Sequence, residues 1–278
     1  MNYDNNILVS IVMPTFNRAN TLGSAIKSVL KQNYSNWELL VIDNGSTDNT
    51  KEVVEQFAEN DERIKYSNVQ KSNNPGISDY LNYGIKLAKG KYIARLDDDD
   101  EWYIPDKLVK QVNFMEDNGN YVLVGGGAVM VDGNRKEMYK FYKRNTDEEI
   151  RRHALYANPF WHNTVMFRKK EALKIGGYKC YRFAEDWDFW LRLGELGKLY
   201  NFKEYFSLYM NAGQNRSLSN QKLTAITILK LIKKYRYKYP NYKKAYIINF
   251  MQYLFSFLPS FIKKRIQNFL FFIKRNYL

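Results

Sequence analysis

The chain has a single cysteine, Cys180, and two histidines, His153 and His162, in 278 residues. A lone cysteine closes no intrachain disulfide, so nothing calls for an oxidising compartment. Two histidines exclude a multi-histidine metal site. Long apolar runs are also missing. The nearest, residues 245–262, is broken by Asn249, Gln252, Ser256, Pro259 and Ser260, whereas a spanning helix needs about 20 predominantly apolar residues. Residues 1–18, MNYDNNILVSIVMPTFNR, carry no basic leader, and their apolar run stops at Pro14. They read as a buried strand rather than a signal peptide.

Acidic residues are absent from one region. Beyond Glu204 there is no Asp or Glu, while 14 Lys and Arg fall there and account for the whole formal charge of +14. Residues 1–204 are formally neutral, so the basicity belongs to a C-terminal appendage and does not mark the whole chain as a nucleic-acid binder. Aromatics at 16% and apolar residues at 45% exclude global disorder. The length allows one substantial core with a remainder.

What is present centres on residues 92–102, YIARLDDDDEW. An apolar, β-prone run delivers four consecutive carboxylates, Asp97 to Asp100, to a strand end, and Glu101 follows. Packed like charges repel and raise one another's pKa, so the cluster is either solvated or built around a cation. Hard oxygen ligands suit Mg²⁺ or Mn²⁺, which keep sites for water or substrate phosphates. The alternative is a solvated acidic turn.

In chain order, residues 7–13 (ILVSIVM) form an apolar run fit for a strand covered on both faces. Leu22, Ala25, Ile26, Val29 and Leu30 then recur at helical spacing, with Asn20 or Thr21 available as N-cap. A second run, WELLVI, ends in DNGSTDNT, dense in turn and cap residues, before a helical pattern through Val53, Val54 and Phe57. A strand near residues 64–66, the loop NNPG and a helix carrying Leu81, Ile85 and Ala88 lead into the acid cluster. Alternating strands and helices mean right-handed crossovers and a mostly parallel sheet, with ligands beyond the strand C-termini. The loops PTFNR, DNGSTD and DDDDE should therefore converge on one crevice. Residues 121–131 read as another strand, in which Gly125–Gly127 serve either tight packing or the lining of an acceptor site. The polar stretch 136–153 reads as a surface connection.

PTFNR, VIDNGSTDNT, NNPG followed by NYG, KGKYIARLDDDDEW with PDKL, and GGY before FAEDWDFWLRL occur in the order typical of glycosyltransferase family 2. Across residues 7–200 the chain resembles that family. The resemblance implies the Rossmann-like GT-A fold and inverting transfer from a nucleotide-diphosphate sugar, UDP- or dTDP-linked by preference, with Mn²⁺ or Mg²⁺. It places Pro14, Thr15, Phe16, Arg18, Asp43, Asn44, Asp97 and Asp98 on the nucleotide sugar and Asp99 on the metal. Asp186 of the Glu185-Asp186 pair is implied as general base, and His162, Glu185 and Trp187 as contacts to acceptor or diphosphate. Read from the residues alone, two acids at a helix N-terminus also fit plain capping, and a lone histidine fits the core. Where the family carries an arginine after the third strand, this chain has Leu81, so diphosphate charge falls to the metal, Arg18, Arg95 or a tail lysine. A QxxRW motif, the mark of processive synthases, is absent, which favours single-sugar transfer.

The expected organisation is a catalytic domain over residues 1–216 and a basic amphipathic helical appendage over 217–278. Apolar positions from Leu223 to Ile273 at helical spacing, flanked by lysines and aromatics, suit an anionic membrane surface; packing on the catalytic domain is the alternative. The expected setting is the cytoplasmic face of the membrane, with a saccharide or polyprenyl-diphosphate-linked acceptor in surface-polysaccharide synthesis and no nucleic acid. Two rivals stand beside this reading. A sugar-phosphate nucleotidyltransferase should show a glycine-rich basic loop where PTFNRAN stands, and a catalytically silent adaptor has no need of Asp99 and Asp186.

Overall fold

The computed structural model describes residues 6–69, 76–210, 220–259 and 262–263. Strand β1 (Val9–Thr15) and strand β2 (Trp37–Asp43) are buried along their whole length, as continuous apolar runs require of strands covered on both faces. Helix α1 (Ala19–Leu30) joins them, and α2 (Thr50–Ala58), β3 (Ile64–Asn68), α3 (Ile77–Leu87) and β4 (Tyr92–Arg95) follow. β3, β2, β1 and β4 lie side by side and parallel. In register, Thr15 faces Asp43 and Val12 faces Arg95. The loops after β1, β2 and β4 thus leave one edge of the sheet, where a parallel sheet binds its ligands.

The sheet then changes direction. β5 (Glu101–Trp102), α4 (Lys107–Asp117), β6 (Tyr121–Val131), β7 (Glu137–Phe141), α5 (Asp147–His153), a 3₁₀ turn (His162–Thr164), β8 (Met166–Arg168), α6 (Lys169–Lys174), α7 (Glu185–Gly194) and β9 (Lys198–Met210) continue the chain. β8 runs antiparallel between β4 and β6, β6 and β9 are parallel, and β5 and β7 add antiparallel edges. Gly125, Gly126 and Gly127 on β6 serve tight packing. A Cβ on Gly125 would stand 2.7 Å from the Phe160 ring, and one on Gly126 2.5 Å from Phe206.

Two apolar layers cover the sheet. On one face, Leu22, Ile26 and Val29 of α1, Val54 of α2 and Leu108 and Val112 of α4 pack on Ile11, Met13, Leu39 and Val41. On the other, Leu81 and Ile85 of α3 and Phe189, Trp190 and Leu193 of α7 pack on Val12, Leu40, Ile42 and Ile93. Each such side chain contributes about 1.5–3 kcal/mol on burial. Leu81, where the family carries an arginine, is fully enclosed in this layer.

Two local expectations need correction. The stretch 136–153 is not a plain connection: it forms β7 and α5. Ile150 is the one buried side chain of α5, so no apolar period marked it; a capping box between Thr146 and Glu149 and the Asp147–Arg151 pair hold it. Helix α1 begins at Ala19 and takes no side-chain cap from Asn20 or Thr21. Asp48 and Thr50 of the next loop accept from the Ala19 and Arg18 amides instead, at 3.1 and 3.0 Å.

Helices α8 (Gln221–Lys234) and α9 (Tyr242–Phe255) pack on the catalytic fold. Leu231, Ile232, Tyr235, Tyr239 and Ala245 form a third cluster with Trp187 and Leu191 of α7 and Ala154 and Leu155 after α5. The expected boundary at residues 216–217, most of the NNPG loop and the distal tail positions Ile266, Leu270 and Ile273 lie outside the described residues. Among the described residues no helix is long and apolar enough to cross a membrane.

Candidate active site

The five consecutive acids divide among four sets of partners. Asp97 takes the Arg95 guanidinium at 2.5 Å. Asp98 and Asp99 share Arg18, at 3.7 and 3.5 Å. Asp100, 2% exposed, accepts from Asn163 Nδ2 at 2.5 Å and from the Met210 amide at 2.9 Å. Glu101 pairs with Arg135, which also donates to Ser24 Oγ at 2.9 Å. Asp100 and Glu101 are therefore structural, and Asp97, Asp98 and Asp99 are left at the strand edge.

Electrostatics separates those three. Burial works against the Asp97 charge, but the Arg95 guanidinium holds the carboxyl below the usual range. Burial pushes Asp98 up to about 7, with Asp99 and Asp97 adding repulsion and the Thr15 hydroxyl and Arg18 opposing it. Asp99 is raised by burial and then by Asp97. Its side chain is 39% exposed and its cationic neighbour is Arg18. One accessible carboxylate short of positive charge fits a hard divalent cation completed by substrate phosphates and water. Among the described residues no three His, Cys, Asp or Glu form a preformed cage, so a cation here would need donor phosphate oxygens among its ligands.

Arg95 does not face the crevice. It is 1% exposed and donates to the Val12 and Leu96 carbonyls at 2.5 and 3.0 Å as well as to Asp97. Its Nε–H donates to His162 Nε2 at 3.2 Å, and the Tyr178 hydroxyl stands 2.9 Å from the same nitrogen. Two donors on Nε2 put the ring proton on Nδ1. Burial, followed by the Arg95 charge, pushes the imidazole down to about 3. His162 is thus a neutral relay of hydrogen bonds between Tyr178 and the Arg95–Asp97 pair.

The loops after β1 and β2 lock together. Asn17, at φ 53°, accepts from the Thr47 amide at 2.8 Å and donates its own amide to Ser46 Oγ at 2.8 Å. The Asn44 amide bonds the Thr15 carbonyl at 2.9 Å. Asp43 is fully buried and holds Ser46 and the Tyr66 hydroxyl at 2.7 and 2.5 Å, while the Asn44 carbonyl oxygen accepts from Tyr80. Phe16 stands half-exposed at the mouth between the two loops, next to Pro14 and Thr15.

The second centre is the start of α7. Ala184, at φ 63°, precedes it without a side-chain cap, a backbone conformation costing roughly 1 kcal/mol for a residue with a Cβ. Asp186 accepts from Asn158 Nδ2 at 2.6 Å and from the Trp187 amide at 2.7 Å. Burial raises its carboxyl above the usual range, Asn158 and the amide pull it back, and the Asp97 charge raises it again. Asp97 and Asp186 therefore share one electrostatic environment, and Tyr209 and Tyr178 both feel both charges. A raised carboxylate beside a cluster suited to a diphosphate can accept a proton from an acceptor hydroxyl.

The crevice at the C-terminal edge of the parallel strands carries Thr15, Phe16, Arg18, Asp97, Asp98 and Asp99, with Arg18 against Asp98 and Asp99, and Glu185 and Asp186 open α7. The crevice does not include Trp187, which is 4% exposed and donates its indole N–H to the Ala154 carbonyl at 2.7 Å in the cluster under α8. Asn158, Tyr178 and Tyr209 belong to the site and carried no mark in the sequence, because single polar residues outside a motif have no spacing to betray them.

Comparison with known proteins identifies the family and the fold. The profile of glycosyl transferase family 2 matches residues 10–177. The putative glycosyltransferase EpsE of Bacillus subtilis is 32% identical over 94% of this chain and 95% of its own length. The Escherichia coli UDP-Glc:alpha-D-GlcNAc-diphosphoundecaprenol beta-1,3-glucosyltransferase WfgD is 41% identical over 44% of this chain and 49% of its own. Residues 1–349 of S. aureus TarS in complex with UDP-GlcNAc superpose with a TM-score of 0.66 at 18% identity, over 90% of this chain and 73% of that one. The parallel nucleotide edge, the acid cluster at β4 and the carboxylate opening α7 are thus carried by a chain that belongs to glycosyltransferase family 2, with the GT-A fold.

Proposed function

We propose that the enzyme transfers one sugar from a nucleotide-diphosphate donor to a saccharide or polyprenyl-diphosphate-linked acceptor, with inversion, in surface-polysaccharide synthesis. The observation that carries this is the acid cluster Asp97–Asp99 at the C-terminal edge of the parallel strands, with Arg18 set against Asp98 and Asp99, on a chain that matches the family 2 profile. The donor's base and ribose lie against Pro14, Thr15 and Phe16, with Asn44 at the pyrimidine edge rather than the buried Asp43, whose carboxylate is taken by Ser46 and Tyr66, and Asp97 and Asp98 toward the ribose. WfgD, as named, acts on a diphosphoundecaprenol-linked sugar, and TarS binds UDP-GlcNAc; both support a UDP-type donor.

Asp186 takes the proton of the acceptor hydroxyl as that oxygen bonds to the anomeric carbon. The bond from that carbon to the diphosphate oxygen breaks, its electron pair leaving with the nucleotide. Asn158 and the Trp187 amide hold the Asp186 carboxylate for this role. Arg18, 45% exposed in its side chain, turns toward the leaving diphosphate. A divalent cation at Asp99 supplies charge neutralisation of that diphosphate when bound. No covalent intermediate is needed, and each encounter adds a single sugar.

The tail adds a location. On α9 the exposed side chains Ile247, Phe250, Met251 and Leu254, continued by Phe257, form one stripe, with Lys243 and Lys244 exposed beside it. An apolar stripe on a segment without any acid fits an anionic lipid surface, at the inner face of the cell membrane where donor and lipid-linked acceptor meet.

The test is nucleotide release from UDP-, dTDP- and GDP-sugars with and without Mn²⁺, beside Asp186→Asn and Asp99→Ala. Turnover of one donor that is lost in Asp186→Asn and loses its metal response in Asp99→Ala supports the proposal. Turnover that survives Asp186→Asn removes the base assignment.

A further inference from the structure

Asp188 is a fully buried carboxylate two residues beyond Asp186 on the same helix. At 3.6 residues per turn the two lie on nearly opposite sides of α7. Asp186 faces the crevice and Asp188 faces α8. There it receives Lys234 Nζ and the Tyr235 hydroxyl, both at 2.8 Å on Oδ1, and Arg192 Nε at 2.7 Å on Oδ2. Burial opposes the Asp188 charge, but these three partners hold the carboxyl below its ordinary range. Further along, the Tyr239 hydroxyl donates to the Leu191 carbonyl at 2.7 Å. On α9, Asn249 Nδ2 reaches the Leu155 carbonyl at 3.3 Å, beside the Ala154 carbonyl that receives Trp187.

Apolar packing alone would hold two helices together at less cost than a buried charge. A directional grip matters where the helix cannot orient itself, and α7 starts at a left-handed alanine with no side-chain cap. We infer that α8 is a positioning element of the catalytic centre: Lys234 and Tyr235, gripping Asp188 from behind, fix the orientation in which α7 presents Asp186 to the crevice. Lys234 and Tyr235 touch no reacting atom and act through α7. The inference rests on the reading of Asp186 as base, and it gives the basic tail a role inside the catalytic domain.

The variant is Tyr235→Phe with Lys234→Met in the full chain, since both changes keep the ring and the aliphatic stem in the apolar cluster. Two readouts apply below the melting temperature. Carbon-13 carboxyl NMR follows the titration of Asp186, whose neighbours Asn158, Asp97, Tyr178, Tyr209 and Glu185 are unchanged. Nucleotide release from the accepted donor gives kcat and KM. The expected result is an Asp186 titration moved down by roughly one unit as the turn opens to water, and kcat about tenfold lower at unchanged donor KM. Restoring Tyr235 together with Lys234→Arg, which keeps a cation on Asp188, should recover both. A lower melting temperature with Asp186 titrating as in the wild type would overturn the inference and leave α8 as packing only. If no donor turns over in the wild type without an acceptor, the titration alone still decides whether α8 orients Asp186.

Discussion

The Arg95 guanidinium and the Asp97 carboxylate, two residues apart at the end of β4, form an ion pair of 2.5 Å whose arginine is 1% exposed and whose aspartate is 33% exposed. The arginine belongs to the interior and the aspartate to the crevice. Val12, Leu96 and His162 take the remaining donors of Arg95. Arg95 is therefore unavailable to an incoming anion, whereas the Arg18 side chain stays 45% exposed.

Removing Arg95 should cost stability rather than affinity alone. Arg95→Met leaves a carboxylate and two carbonyls without their partner, and breaking a buried pair in this way costs about 3–5 kcal/mol. Urea unfolding measures it; a change below about 1 kcal/mol would mean that the pair behaves as a surface contact.

Asp186→Asn should lower turnover by about 100- to 10,000-fold, the range for loss of a general base, and leave calorimetric nucleotide binding nearly intact. In the wild type kcat should fall on acidification at a pH above the ordinary carboxylate range, because burial raises Asp186. A pH profile flat through the weakly acidic range would contradict that placement.

The acid cluster predicts the sign of a stability effect. Asp98 is pushed up to about 7 in the fold, against roughly 3.9 for a free aspartate. The folded state binds that proton more tightly, so the contribution is fully present below about pH 4 and is lost as pH rises through 7. At pH 8 without divalent cation, Asp98→Asn should stabilise the protein by on the order of 1–3 kcal/mol, and the gain should vanish near pH 4. Unfolding the two proteins at both pH values checks it, and a variant less stable at pH 8 refutes it.

The α9 stripe predicts a surface-only phenotype. Phe250→Asp with Leu254→Asp, at positions 40% and 52% exposed, should abolish flotation with phosphatidylglycerol vesicles while the melting temperature stays put. Continued flotation would move any membrane contact elsewhere on the chain.

The sequence showed the nucleotide half of the fold clearly, because β1, β2 and β4 are continuous apolar runs, each ending in a polar loop. The helical spacing of Leu22, Ala25, Ile26 and Val29 likewise matched their burial. The partners of the acids were hidden, since Arg135, Asn163 and Met210 come from distant strands and turns with no local signal. Periodicity also could not distinguish the two faces of the tail. Ile232 enters the core while Ile247 and Leu254 stay exposed, although all three belong to one run of apolar positions at helical spacing. The direction of β8 between β4 and β6 depended on long-range pairing that a short run, Met166–Arg168, cannot announce.

The loops after β1 and β2 are cross-braced by Asn17, Ser46, Thr47, Asp48 and Thr50. Neither can drift on its own. A change in what this edge binds, whether by natural divergence or by grafting, has to move both loops as one cassette, because a single transplanted loop would lose the braces that set its shape.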